Sequence, residues 1–303
     1  MMNQMNQLIE AFRVLIFELV TVMCLKKIIL FSDRKQNYRF KVEAVKRCGH
    51  TLQHLSKSLR NDKRLVLTAV KQNGFALVHA SKSLQNNREV VMAAVNQKGC
   101  ALIHASTALK NDKEIILVAV KKSEGVALMH ASMSVKSDRA FVLLLMSHSG
   151  HALRYVPESL KNDKQVVLAA VKQNCEAFKF APYTLKTDLE ILMEAILAAS
   201  KASEDIAHRM HGILDPKFVI ETLQNEASKL RRNIVCFAFS IGLPWEYGMR
   251  KIVENHPDDY RAVDEKTGLY PFMLAATSCH ADANVDRMYE VLILCPDVLQ
   301  SDP

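Results

Sequence analysis

Four histidines, His54, His79, His104 and His130, recur at spacings of 25, 25 and 26 residues. Imidazoles in a regular column could bind metal ions or relay protons. The next two members of the column are Tyr155 and Phe180, and neither ring reproduces the ligand chemistry of an imidazole. No column of cysteines or carboxylates accompanies the histidines. The rings therefore read as a packing column at the edge of a buried face, with the imidazole nitrogens reaching backbone groups. Neither a metal nor a cofactor is expected.

A second pattern is cationic. Arg60, Lys110, Lys136, Lys161 and Lys186 stand just before a recurring Asp or Asn, and Lys63, Arg88, Lys113, Arg139 and Lys164 stand just after it. Charges in rows of this kind could hold an acidic protein or a phosphate backbone. The second row is the more informative, because a cation just inside a helix start opposes the helix dipole and gains nothing local from it. Both rows are candidate partner-binding residues, against the plainer reading of a solvated face. A third set, Lys71, Lys121 and Lys172, falls near helix ends, where the dipole favours a positive charge and no partner is needed.

Other chemistry is sparse. The chain has no Gly-Lys-Ser/Thr of a phosphate-binding loop, no G-x-G-x-x-G, no G-x-S-x-G and no H-E-x-x-H. Cys279 and His280 are sequence neighbours, which point apart on a helix. Asp258 and Asp259 follow a proline and suit a turn better than a carboxylate dyad. The expectation is a protein that is not an enzyme.

The elements that carry these residues repeat. LRNDKRLVLTAVKQNGFALVHASKS from Leu59 returns as LQNNREVVMAAVNQKGCALIHASTA from Leu84 and LKNDKEIILVAVKKSEGVALMHASMS from Leu109. Further copies begin at Val135 and Leu160, with weaker ones from Arg34 and, incomplete, from Leu185. Each copy is expected to form two short helices. The first starts at a capping Asp62, Asn87, Asp112, Asp138, Asp163 or Asp188, with an apolar face such as Leu65, Val66, Ala69 and Val70. Gly74, Gly99, Gly125 and Gly150 would end it in a left-handed conformation. The second helix would bury Ala76, Leu77, Ala80 and Leu84. The extra residue Glu124 falls in the turn, where an insertion is tolerated. A hairpin this small cannot cover its own apolar face, so neighbours must stack into an α-solenoid.

The pattern L-K-N-D-K-x-V-V-L-x-A-V-K-Q-N-G-x-A-L-x-[HYF]-A resembles the tandem repeats of domain of unknown function 4116. The resemblance covers slightly more than half of the chain. It implies a helical repeat fold and no particular activity.

Four parts are expected: a capping helix at 1–33, tandem repeats at 34–200, spacer or closing helices at 201–243 and a last helical segment at 244–303. In the first, Phe12, Leu15, Ile16, Leu19, Val20 and Met23 form a helical stripe. Glu10, Arg13 and Glu18 interrupt this stretch, and it has neither a basic leader nor a small-residue cleavage site, so no transmembrane span is expected. In the third, Asp215 and Pro216 start a helix that can run to Gly242. In the last, a helix is expected from Pro244 to about His256 and another from Asn284 to Leu294. There G-L-Y-P-F-M-L-A-A from Gly268 resembles the ankyrin core G-x-T-P-L-H-x-A-A, but with Tyr270 and Met273 in place of its threonine and histidine.

The net charge of +8 conceals a division. Residues 34–188 carry 26 Lys and Arg against 11 Asp and Glu, whereas residues 189–303 carry 11 against 18. Seven scattered cysteines without a Cys-x-x-Cys suit reduced thiols and a cytoplasmic setting. The reading is an all-α, non-catalytic scaffold that binds a protein, with an acidic partner as one option. The alternative is polyanion binding, to RNA or an acidic membrane surface, through the basic turn edges. Nucleic acid is the lesser option, because the exposed columns lack aromatic residues for base stacking.

Overall fold

The computed structural model describes residues 38–256, 259, 262–271 and 273–274. The capping helix expected at 1–33, Asp258, Cys279, His280 and the helix expected at 284–294 lie outside the described residues. Among the described residues every regular element is helical and there is no strand, so the fold is an all-α solenoid.

Each repeat opens with a ten-residue helix, as in Lys63–Gln72, Arg88–Gln97 and Lys113–Lys122. The caps are those the sequence announces. One oxygen of Asp62 accepts from the N–H groups of Arg64 and Leu65 at 2.9 and 3.2 Å, and Asp112 repeats this at Glu114 and Ile115. Each bond satisfies an amide that the helix itself leaves open. Leu65, Val66, Ala69 and Val70 are fully buried, and their counterparts in the following copies are buried too.

The second element differs from the expectation. It is not an α-helix but a 3-10 helix, Gly74–His79 in one copy and Gly99–His104 in the next. A separate short turn follows, Lys82–Gln85, which carries Leu84. With three residues per turn, positions three apart share a face. Ala76 and Leu77 therefore point into the core with no exposure, while Phe75 and Val78 share the outer side.

The glycines also act differently from the expectation. Of Gly74, Gly99, Gly125 and Gly150 only Gly125 is left-handed, at φ 93°. It follows Glu124 at φ 49°, and this pair absorbs the inserted residue in the turn before Val126–His130. Gly74 and Gly99 are needed for space. A Cβ on Gly49 would sit 2.5 Å from the backbone oxygen of Ala69, and one on Gly74 or Gly99 would meet Ala94 O or Ala119 O in the same way. The 3-10 helices that begin at Gly49, Gly74 and Gly99 start directly against the long helix of the next repeat.

Polar ladders reinforce that contact. The side-chain oxygen of Gln72 accepts from Gly49 N–H at 2.6 Å, and that of Gln97 accepts from Gly74 N–H at 2.6 Å. Ser81 and Ser83 hydroxyls donate to Asn61 Oδ1 at 2.6 and 2.7 Å, Ser106 to Asn86 and Ser132 to Asn111. The Asn, Gln, Gly and Ser of the recurring motif thus join one copy to its neighbour.

The chain divides into two units, Met1–Pro157 and Glu158–Pro303. In the second, the last complete repeat leads into helices Leu189–Ser200, Glu204–Ile213 and Pro216–Lys229. The run expected to reach Gly242 stops at Lys229, because Arg231 adopts φ 53°, and a new helix Ile234–Ser240 starts at the cap Asn233. Instead of one helix from Pro244, a 3-10 turn Trp245–Tyr247 is followed by left-handed Gly248 and helix Met249–Asn255. Arg232 grips the buried Asp264 through two bonds of 3.0 and 2.9 Å, and Thr267 adds a third at 2.7 Å. Burial acts to raise the Asp264 pKa, but Arg232 and Thr267 hold it below the ordinary carboxylate value.

Three outcomes are expected in chemical denaturation. Gly99→Ala should cost on the order of 1–3 kcal/mol, since its methyl group meets backbone that cannot rotate away. Gly212→Ala, with open space around it, should instead stabilise by up to about 1 kcal/mol. Asp264→Ala, which leaves Arg232 without its buried partner, should cost about 3–5 kcal/mol.

Candidate functional site

The row of cations that follows the caps is paired across the stack. Lys63 lies 2.5 Å from Glu89, Arg88 lies 3.0 Å from Asp112 and also contacts Glu114, and Lys113 contacts Asp138. In the second unit Lys164 lies 2.8 Å from Asp188 and 2.9 Å from Glu190. Each cation therefore meets the capping Asp of the next repeat, the acid that follows it, or both. The sequence reading found no local gain at this position because the partner is a whole repeat away. Arg139 also has an interaction partner.

The row that precedes the caps turns back onto the 3-10 helices. Lys136 Nζ donates to Met129 O at 2.8 Å, and Lys186 Nζ donates to Lys179 O at 3.1 Å. Gln85, at the equivalent position, donates to Leu77 O and Val78 O at 3.1 and 3.2 Å. These groups close carbonyls that the 3-10 helix leaves open, where a positive charge is favoured. Burial lowers the pKa of Lys136 and of Lys186. Lys161 lies 2.7 Å from Glu158. Arg60 is half-buried, with no hydrogen-bond partner for its Nε, and Lys110 lies near His104 and His130.

All six members of the ring column, His54, His79, His104, His130, Tyr155 and Phe180, are half-buried. His79 meets His50 of the preceding repeat edge-on at 5.8 Å, and His104 meets Phe75 likewise at 6.1 Å. Burial, then neighbouring positive groups such as Lys110, lowers the pKa of His79, His104 and His130. No group of three or more metal-ligating side chains occurs among the described residues. Burial also pushes the Cys236 thiol up to about 11, with Asp264 adding to the shift. It is protonated and unsuited to nucleophilic attack.

An open groove of about 870 Å³ lies between the long helices Lys63–Gln72 and Arg88–Gln97 and is lined in part by Leu67, Met92, Arg88 and Glu89. Arg88 and Glu89 in its lining are already paired with other repeats.

The most distinctive surface escaped the sequence reading. Val78, Ile103 and Met129 are 42, 43 and 48% exposed, and Val126 is exposed beside Met129. Together with half-buried Phe75 and Cys100, they make the outer face of three successive 3-10 helices apolar. The flanking copies carry His50 and Gln53 before the patch and His151 and Arg154 after it. The signal lay in the triplets Val78-His79-Ala80, Ile103-His104-Ala105 and Met129-His130-Ala131. Residues three apart are neighbours on a helix of 3.6 residues per turn and align fully on a 3-10 helix, so Phe75 and Val78 share one side.

The sequence model described as Domain of unknown function (DUF4116) matches residues 40–85, 87–136, 112–161, 138–186 and 163–204, more than half of the chain. The chain belongs to the DUF4116 family. No curated protein and no solved structure matches it. The five matches run through the stacked repeats of both units, so the recurring residues of this DUF4116 chain coincide with its inter-repeat contacts. No helix among the described residues is long and apolar enough to cross a membrane.

The lowered histidine pKa values set a pH dependence. Folding opposes protonation, so the contribution is complete above the ordinary histidine value of 6.5. It is lost as the pH falls through 6.5 towards the native values. The Tm measured by calorimetry should fall between pH 8 and pH 5.5. Replacing His79, His104 and His130 together by Phe, the residue at Phe180, should reduce that fall by a few °C.

Proposed function

We propose that this DUF4116 protein is a non-catalytic repeat scaffold that binds another protein through the outer face of its three central 3-10 helices. One observation carries the reading: the recurring polar side chains hold the stack together, while Val78, Ile103 and Met129 repeat in register, exposed and without apolar cover. Contiguous apolar exposure is unusual on a soluble surface and marks interaction sites. Stacked repeats present such positions at fixed intervals. The closed turn at Asp264, where Asp264 N–H donates to Leu269 O at 2.9 Å and Gly268 N–H donates to Asp264 O at 2.8 Å, suits the ankyrin-like reading of the last segment. That reading supplies a second contact surface or an end cap, and again a protein partner.

Binding of RNA or an acidic membrane through the turn edges draws less support from this geometry. Lys63, Arg88, Lys113 and Lys164 already face carboxylates of neighbouring repeats. An incoming phosphate would have to displace them. The protein-binding reading also fits a cytoplasmic setting.

A photo-crosslinking amino acid placed at residue 103 should give one discrete protein adduct in native lysate. The adduct should vanish in Met129→Glu, and the same probe at the exposed position 121 should give none. Equal, diffuse labelling from both positions would reject the proposal.

A further inference from the structure

The occupant of the apolar face can be specified further, on the reading that this face binds protein. We propose that it takes an extended segment in the polyproline II conformation, with an apolar side chain at every third position and acidic side chains between them. Three observations lead there.

The first is pitch. Packed helices lie about 8–10 Å apart, and each repeat contributes one apolar pair, so the contacts recur at roughly that interval. A polyproline II segment advances about 3.1 Å per residue with three residues per turn, so one edge presents a side chain about every 9 Å. A β-strand returns to the same face about every 6.6 Å. An α-helix does so about every 5.4 Å. The first keeps step with successive repeats at every turn.

The second is charge. Lys136 reaches the carbonyl of Met129 itself, at 2.8 Å, and Lys110 occupies the equivalent place one repeat earlier. Neither forms an ion pair with an acid among the described residues. This side of the face thus alternates apolar pairs with cations that lack a carboxylate. Lys98 adds a further cation, 5.7 Å from the centre of the Phe75 ring. An acidic residue between apolar ones would meet these groups, whereas a basic or wholly apolar segment would not.

The third is extent. The apolar pairs stop at polar pairs in the copies on either side, His50 with Gln53 and His151 with Arg154. Three repeats correspond to three turns, or about nine residues of partner. A segment already near this conformation loses little freedom on binding, which lets so short a contact hold.

The test uses the full chain and a dye-labelled 12-residue peptide of four Leu-Pro-Glu triplets, followed by fluorescence anisotropy. Two comparison peptides have the same leucine and glutamate content, one alternating them as in a strand and the other spacing leucines by three and four as on a helix. The triplet peptide should bind at least tenfold more tightly than either. Ile103→Glu should weaken it at least tenfold, and Lys136→Gln should weaken it and flatten its salt dependence. If Ile103→Glu fails to fold by circular dichroism, Met129→Glu at the most exposed of the three positions serves the same comparison. Equal or tighter binding of the strand or helix peptide would overturn the inference, as would no binding of any peptide. So would a dimer in sedimentation that Ile103→Glu converts to monomer, since the face would then join two copies. The crosslinking result at residue 103 separates these failures from failure of the broader protein-binding reading.

Discussion

Backbone laid directly on backbone between neighbouring repeats is the constraint from which the rest of the structure follows. The approach at Gly49, Gly74 and Gly99 leaves no room for a Cβ against the next long helix. It brings the Gln72 and Gln97 amides within reach of the same glycine N–H groups. It also seats Ala76 and Leu77 in a fully buried layer, where each apolar side chain adds roughly 1.5–3 kcal/mol for a residue of leucine size. No single repeat can assemble this interface, so stability belongs to pairs of repeats rather than to repeats.

Much of this could be read from the residues. The Asp caps, the apolar faces and the repeat length are local signals, and they recover the long helices and the all-α solenoid. What failed to show was non-local or too short to have a clear period. Six residues such as Gly74–His79 do not distinguish a turn of 3.0 residues from one of 3.6, so the element was read as an α-helix. A glycine whose role is steric looks the same as one whose role is a positive φ, and of Gly74, Gly99, Gly125 and Gly150 only Gly125 was of the second kind. Lys63 looked unfavourable at a helix start because its partner Glu89 lies a full repeat further on.

The basic character of the repeats changes meaning accordingly. A surplus of Lys and Arg invites the idea of a polyanion, yet the printed charge of a sequence does not tell which charges have company. The row after the caps is neutralised repeat by repeat, at exposed pairs that individually contribute about 0–1 kcal/mol. Those pairs align copies in register, because like charges would meet if a repeat slipped to place cation over cation. In the row before the caps, Lys136 and Lys186 are drawn inward to carbonyl groups. Val78, Ile103 and Met129 on the outer 3-10 face, by contrast, stay exposed.

The inserted Glu124 adds a thought about how such arrays can change over time. Its left-handed geometry and that of Gly125 confine the extra residue to one corner, and the copy beginning at Val135 resumes its helices and cap without a shift. A chain of this design is edited like a line of type: a letter inserted at a corner leaves every later word readable, and a whole word can be copied or dropped. Lengthening or shortening the array by entire copies would then alter how many contact stations it offers while leaving the architecture of each one untouched.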